Sequence, residues 1–297
     1  MSLLLLGMSG QLGWELQRSL APLGPLTALD RHGAPGLCGD LGDAEGLAAT
    51  VRALRPRVIV NAAAYTAVDQ AESEPDLARR INADAPAALA REAAACGALL
   101  VHYSTDYVFD GSGQQPWREG DVPAPLNVYG ATKLAGEQAI RQSGCRHLIF
   151  RTSWVYAARG GNFARTMLRL GQQRERLTVI DDQWGAPTGA ELIADVSAHA
   201  IRQLDARPQD GGTYHLAAAG FTTWFEYANQ VFAQARQARS AIEWVVKDVA
   251  PIPTSAYPTP ARRPHNSRLD TGKLQATFGL TLPPWQDGVR RLLAEIL

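Results

Sequence analysis

Short apolar runs alternate with longer amphipathic stretches through the first half of the chain. The apolar runs have the length of buried strands, and they lie at Leu3–Leu6, Leu26–Leu29, Val58–Asn61, Leu99–Tyr103 and Leu148–Arg151. The stretches between them are rich in alanine and leucine and predict helices at Leu12–Leu20, Glu45–Leu54, Asp76–Cys96 and Gly130–Ser143. Strict alternation of strands and helices predicts an α/β fold with a doubly wound parallel sheet.

The pattern becomes less regular after about residue 155. Helices are predicted at 162–170 and 190–204, and strands at 177–180 and 212–216. The last part of the chain is rich in proline, which favours turns and extended segments. We therefore expect a cofactor-binding sheet domain and a smaller, mixed α/β domain that closes over it and gives substrate specificity. The first comprises residues 1–154 with later elements around 177–218 returning to it, and the second comprises 155–176 and 219–297.

Composition narrows the classes of function. The chain has 297 residues, 46% of them hydrophobic and 20% charged, with zero formal net charge. A nucleic-acid partner is not expected, because no basic excess is present. No apolar run reaches the ~20 residues of a membrane span, and the opening leucine run has no basic leader, so it is interpreted as a strand. Three widely separated cysteines predict a reducing compartment, and we expect a cytoplasmic protein.

A glycine-rich turn, Gly7-Met8-Ser9-Gly10-Gln11-Leu12-Gly13, follows the first strand and opens a helix. Three glycines at this spacing allow a tight turn, close approach of a pyrophosphate to the backbone, and close packing of helix on sheet. The N–H groups at the helix start would hold the anion. Such triplets alone are a weak signal, but the preceding strand and following helix provide the context of a dinucleotide-binding Rossmann domain.

Asp30 ends the second strand, where a carboxylate can bind the adenosine ribose of NADH. Arg31 follows and could instead pair with the 2′-phosphate of NADPH. The pair therefore predicts tolerance of both cofactors, although Asp30 could simply cap a turn. Asp40 and Leu41 could lie near the adenine, and Asp40 could equally be a loop residue.

Tyr129-Gly-Ala-Thr-Lys133 carries the strongest chemical signal. A tyrosine and a lysine four residues apart share one helical face. The ammonium is expected to lower the phenol pKa from about 10 toward neutrality, which would make Tyr129 a proton donor for a carbonyl undergoing reduction. The chain has eight tyrosines and three lysines, so chance is a poor explanation of this spacing. A surface pair on an amphipathic helix remains the alternative.

Longer segments resemble the dTDP-4-dehydrorhamnose reductases within the extended short-chain dehydrogenase/reductase family. They are Asn61-Ala-Ala-Ala-Tyr-Thr-Ala-Val-Asp69, Tyr103-Ser-Thr-Asp-Tyr-Val-Phe-Asp-Gly111, Arg151-Thr-Ser-Trp-Val-Tyr156, Asp182-Gln-Trp-Gly-Ala-Pro-Thr188 and Arg263-Pro-His-Asn-Ser267. These segments span nearly the whole chain. The resemblance implies reduction of the C4 ketone of dTDP-4-dehydro-L-rhamnose with NADPH or NADH, the last step of dTDP-L-rhamnose synthesis for surface polysaccharide.

The same resemblance implies residue roles. Cofactor contacts are implied for Gly7, Gly10, Gln11, Leu12, Gly13, Asp30, Arg31, Asp40, Leu41, Ala63, Ala64, Thr66, Tyr103, Tyr129 and Lys133. The implied catalytic residues are Thr105, Tyr129 and Lys133. Thr105 and Asp106 would contact the substrate, with Trp154 packing on the sugar or beside it. Thr105 and Asp106 could instead form a turn, Trp154 could be core, and Arg262 and Arg263 could bind the diphosphate or be solvated.

Some members of this family are dimers bridged by Mg²⁺ on glutamates, and Glu15, Glu191 and Glu295 match those places. Solvated helix glutamates are the alternative, so the resemblance leaves a monomer or a homodimer open.

Two other functions remain open from the sequence. A nucleotide-sugar epimerase or dehydratase shares the fold but retains its cofactor through the cycle. A non-catalytic regulatory subunit of methionine adenosyltransferase would bind a dinucleotide without turnover. The intact Tyr129, Lys133 and Thr105 argue against the second.

Overall fold

The computed structural model describes residues 1–238 and 242–297. Its strands are β1 (Leu3–Leu6), β2 (Leu26–Leu29), β3 (Val58–Asn61), β4 (Leu99–Thr105), β5 (Arg146–Thr152), β6 (Val155–Tyr156), β7 (Arg176–Ile180), β8 (Trp184–Gly185), β9 (Thr188–Gly189), β10 (Gly212–His215), β11 (Thr222–Thr223) and β12 (Asp248–Ile252). Its α-helices are α1 (Gln11–Leu20), α2 (Ala44–Leu54), α3 (Val68–Ala71), α4 (Pro75–Arg79), α5 (Ala85–Cys96), α6 (Val128–Gln142), α7 (Phe163–Gly171), α8 (Ala190–Ala206), α9 (Trp224–Gln237), α10 (Gly272–Phe278) and α11 (Trp285–Ile296).

A central parallel sheet in the order β10-β5-β4-β3-β1-β2 confirms the predicted fold class. Every side chain of β1 and of β3 is buried, because helices cover both faces of the sheet. Helices α1 and α8 pack on one face, and α2, α5 and α6 on the other. The strand order reverses between β1 and β3. Their carboxyl ends therefore border the crevice where doubly wound sheets bind ligands.

The helix predicted at Asp76–Cys96 is interrupted. Between α4 and α5 the chain makes a π-helical turn over Arg80–Asp84, and the Ala85 N–H bonds the Arg80 carbonyl five residues back. Pro86 lacks an N–H and cannot continue a regular helix, which explains the wider turn. The turn carries Asn82, whose carbonyl oxygen lies against Gly136 of α6.

A smaller hydrophobic core lies beyond the central sheet. It is formed by α7, α9 and α11 together with β7, which pairs with β12. The expectation that all of 177–218 returns to the central sheet is therefore wrong for β7, because its apolar side chains face α9 instead. Helix α8 and strand β10 do return. Across residues 1–238 and 242–297, no helix combines the length and apolarity needed to cross a bilayer.

Candidate active site

The glycine turn lies at the carboxyl end of β1, and its packing leaves no space for a side chain at Gly7 or Gly13. Gly7 has a φ of +86°, and a Cβ there would lie 2.8 Å from the Ala63 nitrogen. A Cβ on Gly13 would collide with the Gly7 carbonyl, so helix α1 can approach the strand only with glycine at this position. The N-cap of α1 is Gly10, which has no side chain to occupy the first-turn N–H groups. The helix start is therefore suited to a pyrophosphate.

The two carboxylates beside the crevice are tied into their own turns. Asp30 Oδ1 accepts the His32 N–H at 2.8 Å, and Asp40 Oδ1 accepts the Gly42 N–H at 2.8 Å. Each has a second oxygen for a ribose or adenine contact. Arg31 is exposed, with its Nε 3.4 Å from the His32 ring, and Leu41 is buried in the sheet core. Asp30 can therefore stabilise its turn through one oxygen and still accept a ribose hydroxyl through the other.

A loop after β3 brings Ala63, Ala64 and Thr66 to the same edge. Asn61 Oδ1 accepts the Ala63 N–H at 3.2 Å, and Asn82 Oδ1 accepts the Tyr65 N–H at 2.9 Å. The π-helical turn therefore supports this loop from beneath. Thr66 is exposed, whereas the two alanines are partly covered.

The smaller domain reaches the start of α1. Asn162 Nδ2 donates to Gln11 Oε1 at 3.2 Å, and Gly160 lies against the Gln11 side chain. Gln11 is therefore held by a loop from beyond residue 155, next to the anion-binding turn.

Thr105 and Asp106 lie at the carboxyl end of β4 and are almost fully buried. The Thr105 hydroxyl donates to Asp106 Oδ1 at 3.1 Å and accepts the Tyr107 N–H at 3.1 Å. Burial raises the pKa of Asp106 to about 7, against the lowering effect of Ser267 and Thr105. Asp106 Oδ2 has no hydrogen-bond partner among the described residues. A buried acceptor without a partner is costly, so this oxygen is suited to a ligand hydroxyl.

Tyr129 lies in the first turn of α6, close to Thr105. The helix begins after Asn127, whose side chain accepts the Gly130 N–H at 2.8 Å and donates to the Arg262 carbonyl at 2.8 Å. Burial raises the pKa of Tyr129 to about 12. The charge of Asp106 acts in the same direction and the Thr105 hydroxyl opposes it.

Burial raises the pKa of Tyr129, so the lowering of that pKa expected from Lys133 stays a prediction. The amine is 2% exposed, donates to the Tyr103 carbonyl at 2.6 Å and lies 3.3 Å from His102 Nε2. Burial lowers the pKa of Lys133 to about 8, although Glu137 raises it. Burial shifts both groups toward their neutral forms, because it raises the pKa of Tyr129 and lowers the pKa of Lys133.

Tyr103 directs its ring away from this cluster. Its hydroxyl donates to Ser197 on α8 at 2.8 Å, and the ring stacks near Phe150 in the sheet core. Only its backbone carbonyl faces Lys133. The expectation that Tyr103 lies near the nicotinamide side of the cofactor stays a prediction, and its backbone carbonyl is the part of the residue that could lie there.

Trp154 has a left-handed backbone, with φ at +49°, just after β5. Its ring stacks on Trp224 of α9, with centroids 3.6 Å apart and planes 14° from parallel. Positive φ in a bulky residue is strained, and such strain is concentrated at functional sites. Both rings are partly exposed, so Trp154 is not simply core.

Arg263 binds Asp69 of α3 through two hydrogen bonds of 2.8 and 2.7 Å. The Asp69 side chain also accepts the Ala261 N–H at 3.1 Å. Arg263 thus ties the late loop to the cofactor side of the sheet rather than presenting a guanidinium to a diphosphate.

The three glutamates expected to bind magnesium, Glu15, Glu191 and Glu295, each lie beside an arginine. Arg291 lies 3.0 Å from Glu191 and 3.6 Å from Glu295, while Glu15 lies 3.7 Å from Arg18. No group of three or more His, Cys, Asp or Glu side chains suited to a metal ion occurs within residues 1–238 and 242–297. The expected Mg²⁺ site is therefore not supported, because arginine supplies the positive charge beside Glu191 and Glu295.

Sequence reasoning assigned no site role to four residues that the fold adds. Ser267 lowers the pKa of Asp106, Trp224 stacks on Trp154, and Asn61 and His102 lead to Lys133. Asn61 and Ser267 lie inside the quoted motifs and could have been named. His102 and Trp224 carry no local signal.

Comparison with known proteins identifies the family. The family model described as the RmlD substrate binding domain matches residues 1–297. The dTDP-4-dehydrorhamnose reductase of Escherichia coli K12 is 59% identical over 296 residues, covering 100% of this chain and 98% of that protein. The one of Burkholderia thailandensis is 48% identical over 301 residues, covering 100% and 99%. The crystal structure of dTDP-4-dehydrorhamnose reductase from Bacillus anthracis in complex with NADP has a TM-score of 0.87 and 36% identity, with 99% of each chain covered. This chain therefore belongs to the dTDP-4-dehydrorhamnose reductase family.

Proposed function

We propose that this protein reduces the C4 ketone of dTDP-4-dehydro-L-rhamnose to dTDP-L-rhamnose in the cytoplasm. Full-length similarity to proteins named for that reaction carries the proposal. The cluster of Thr105, Asp106 and Tyr129 at the sheet edge supports it, because ketone reduction needs a proton donor and polar groups that orient the sugar.

The cofactor is NADPH or NADH, which supplies hydride when bound. It would lie along the carboxyl ends of β1 and β3, with its pyrophosphate at Gly10 and Gln11. The tight glycine turn fits a dinucleotide, and the Bacillus anthracis relative was solved in complex with NADP. Asp30 would accept ribose hydroxyls of NADH, and Arg31 would favour the additional phosphate of NADPH.

Tyr129 donates the proton to the sugar oxygen as hydride arrives at C4. Its raised pKa keeps the phenol protonated at neutral pH, so the acid is ready in each cycle of reduction. Thr105 would turn its O–H away from Asp106 Oδ1 to donate a second hydrogen bond to the same developing oxyanion. Reversal would need the phenolate as base, which burial and the charge of Asp106 disfavour.

The sugar is held by groups outside the reacting pair. Asp106 Oδ2 accepts a sugar hydroxyl, and Trp154 packs against the ring with Trp224 behind it. Residues 1–154 with α8 and β10 would bind the cofactor and supply Asp106 and Trp154 to the sugar, and the remainder would complete the binding site for the dTDP-sugar.

The direct test is turnover of dTDP-4-dehydrorhamnose with NADH and with NADPH. The loss of absorbance of the reduced nicotinamide measures the rate, and the product is identified as dTDP-L-rhamnose. A reductase consumes one reduced cofactor per product. An epimerase would change the sugar without net oxidation of cofactor, and a regulatory subunit would bind cofactor without consuming it. Either of the last two results would refute the proposal.

A further inference from the structure

Residues 181–188 hold the backbone around Trp154. The Ser153 hydroxyl donates to the Ala186 carbonyl at 3.3 Å, and the Thr188 N–H donates to the Trp154 carbonyl at 3.2 Å. Trp154 has a φ of +49°, which a bulky residue adopts only when its surroundings impose it. The segment 181–188 therefore contributes to holding Trp154 in its strained conformation.

The same segment contacts the Trp154 ring directly through Gly185. A Cβ on Gly185 would lie 2.5 Å from Cε2 of Trp154 and 2.8 Å from its Nε1, closer than real side chains approach. The φ of Gly185 is not in the left-handed region, so the backbone conformation does not require glycine here. The ring of Trp154 requires it, because the ring lies against the Gly185 backbone.

Trp224, which stacks on Trp154, is anchored to this segment as well. It is the first residue of α9, and Thr223 before it pairs with Trp184 across β11 and β8. Trp224 Nε1 donates to Gln183 Oε1 at 3.2 Å. Because an indole N–H can only donate, the Gln183 amide must face it with its oxygen, which fixes the orientation of the amide.

The other end of the Gln183 amide is also bonded. Its NH₂ group donates to Thr254 Oγ1 at 3.1 Å, and the Thr254 hydroxyl donates its own proton to Asp182 Oδ1. Gln183 is 4% exposed, so no solvent can replace a lost partner. A reversed amide would place two donors against each other at Trp224. The hydrogen bonds therefore run in one direction, from Trp224 through Gln183 and Thr254 to the Asp182 carboxylate.

The stacked pair lies at the edge of the sheet that carries the proposed catalytic groups. Thr152 pairs with Thr105 where β5 and β4 end, and Trp154 follows Thr152 by two residues. Trp154 and Trp224 pack against the smaller hydrophobic core but stay partly exposed. The exposed parts of the two rings are available to a ligand bound beside Thr105.

We propose that Gln183 and Gly185 are positioning residues that hold Trp154 and Trp224 in the one orientation that fits the sugar ring of the substrate. Both act through the two rings, since the Gln183 amide is bonded at each end and Gly185 has no side chain. The inference rests on the proposed function for the identity of the sugar. Loss of either residue should weaken sugar binding and spare cofactor binding, because none of these contacts involves the glycine turn.

Fluorine NMR of protein labelled with fluorotryptophan tests the positioning without any turnover. The chain has seven tryptophans, and the two resonances of interest are assigned from Trp154→Phe and Trp224→Phe. Gln183→Met keeps the side-chain length but removes both hydrogen bonds, so it should shift or broaden these two resonances. Gln203→Met is the matched control, because Gln203 bonds the Thr277 carbonyl instead. Unchanged resonances in Gln183→Met, or equal changes in both variants, would overturn the proposal.

Gly185→Ala tests the direct contact with the ring. The added methyl group should displace the Trp154 ring and shift its fluorine resonance. Gly120→Ala is the control, because a Cβ on Gly120 would meet nothing within 4 Å. A Gly185→Ala protein with the wild-type Trp154 resonance would contradict the role of Gly185.

Calorimetric titrations with dTDP-L-rhamnose, dTDP and NADPH measure the consequence for binding. Gln183→Met and Gly185→Ala should raise the dissociation constant of dTDP-L-rhamnose about 3- to 10-fold, the scale of a lost aromatic contact. The dissociation constants of dTDP and NADPH should stay nearly unchanged. Equal weakening of all three ligands would indicate general damage to the fold, and this result or an unchanged affinity for dTDP-L-rhamnose would overturn the proposal. Absence of reductase turnover in the wild type would refute the proposed function but leave the fluorine measurement intact.

Discussion

The cofactor side and the substrate side of the site differ in how they handle charge. On the cofactor side, Asp30 and Asp40 are accessible to solvent, and one oxygen of each accepts a hydrogen bond from a backbone N–H in a turn. On the substrate side, Asp106 and Tyr129 are enclosed, and burial raises both pKa values. The cofactor side would therefore bind its ligand through the shape of the glycine turn and through backbone N–H donors. On the substrate side, burial determines whether Asp106 and Tyr129 are protonated.

This difference predicts how each side responds to substitution. Changes on the enclosed side should alter the chemical step and its pH dependence. Changes on the open side should alter cofactor affinity alone.

The largest effect is expected from Tyr129→Phe. Removing the proton donor should reduce kcat by ~10²–10⁴-fold while the dissociation constant for NADPH changes little. Stopped-flow measurement of a single turnover checks this. Tyr107→Phe is the control, because Tyr107 meets Tyr129 edge-on at 5.8 Å but has no assigned role in proton transfer. Equal losses in the two variants would show that packing, rather than the phenol proton, is what matters.

Thr105→Val should follow in size. It keeps the shape but removes the donor to the oxyanion, with an expected loss of ~10²-fold in kcat. Thr105→Ser restores a hydroxyl and should recover most of the rate in steady-state assays. A valine variant with wild-type kcat would remove Thr105 from the mechanism.

Asp106→Asn should raise the substrate KM by about 10-fold or more. The substitution replaces one carboxylate oxygen, which accepts a hydrogen bond from a sugar hydroxyl, with an NH₂ group that can only donate. The wild-type carboxylate is lost as pH falls through about 7, so kcat/KM should fall there. The asparagine variant should lack that acidic limb. The same limb in both proteins would assign it to another group.

Asp106 also gives a stability prediction of defined sign. Its folded pKa lies above the unfolded value of about 4, so its contribution to stability declines as pH rises from about 4 to about 7. Asp106→Asn should therefore increase the free energy of unfolding at pH 8, by up to about 2–4 kcal/mol, and change it little at pH 4. Urea titrations at the two pH values measure this. A variant that is less stable at pH 8 would contradict the burial argument.

The smallest effect belongs to the open side. Asp30→Ala should weaken NADH binding by about tenfold or less and leave kcat with saturating NADPH nearly unchanged, because one exposed hydrogen bond is lost. Fluorescence titration with each cofactor checks it. A large fall in kcat would erase the contrast between the two sides.

The sequence predicts what depends on neighbouring positions along the chain. β1, β2 and β3 match residue for residue, because each strand coincides with a short run of mainly apolar residues. The glycine turn and the Tyr129–Lys133 spacing are also local. Burial, and contacts between residues on different strands and helices, do not depend on neighbouring positions along the chain. The raised pKa of Tyr129, the stacking of Trp224 on Trp154, and the contact of His102 with Lys133 all arise from segments that are distant in sequence.

Direct titration of the Tyr129 phenol tests the central claim, that this group remains protonated until hydride arrives. The near-ultraviolet phenolate absorbance of wild-type protein and of Tyr129→Phe would be compared across the pH range. We predict that the difference between them appears only in strongly alkaline solution, near a pKa of about 12. A phenolate that forms near neutral pH in the wild type and is missing from Tyr129→Phe would contradict the account.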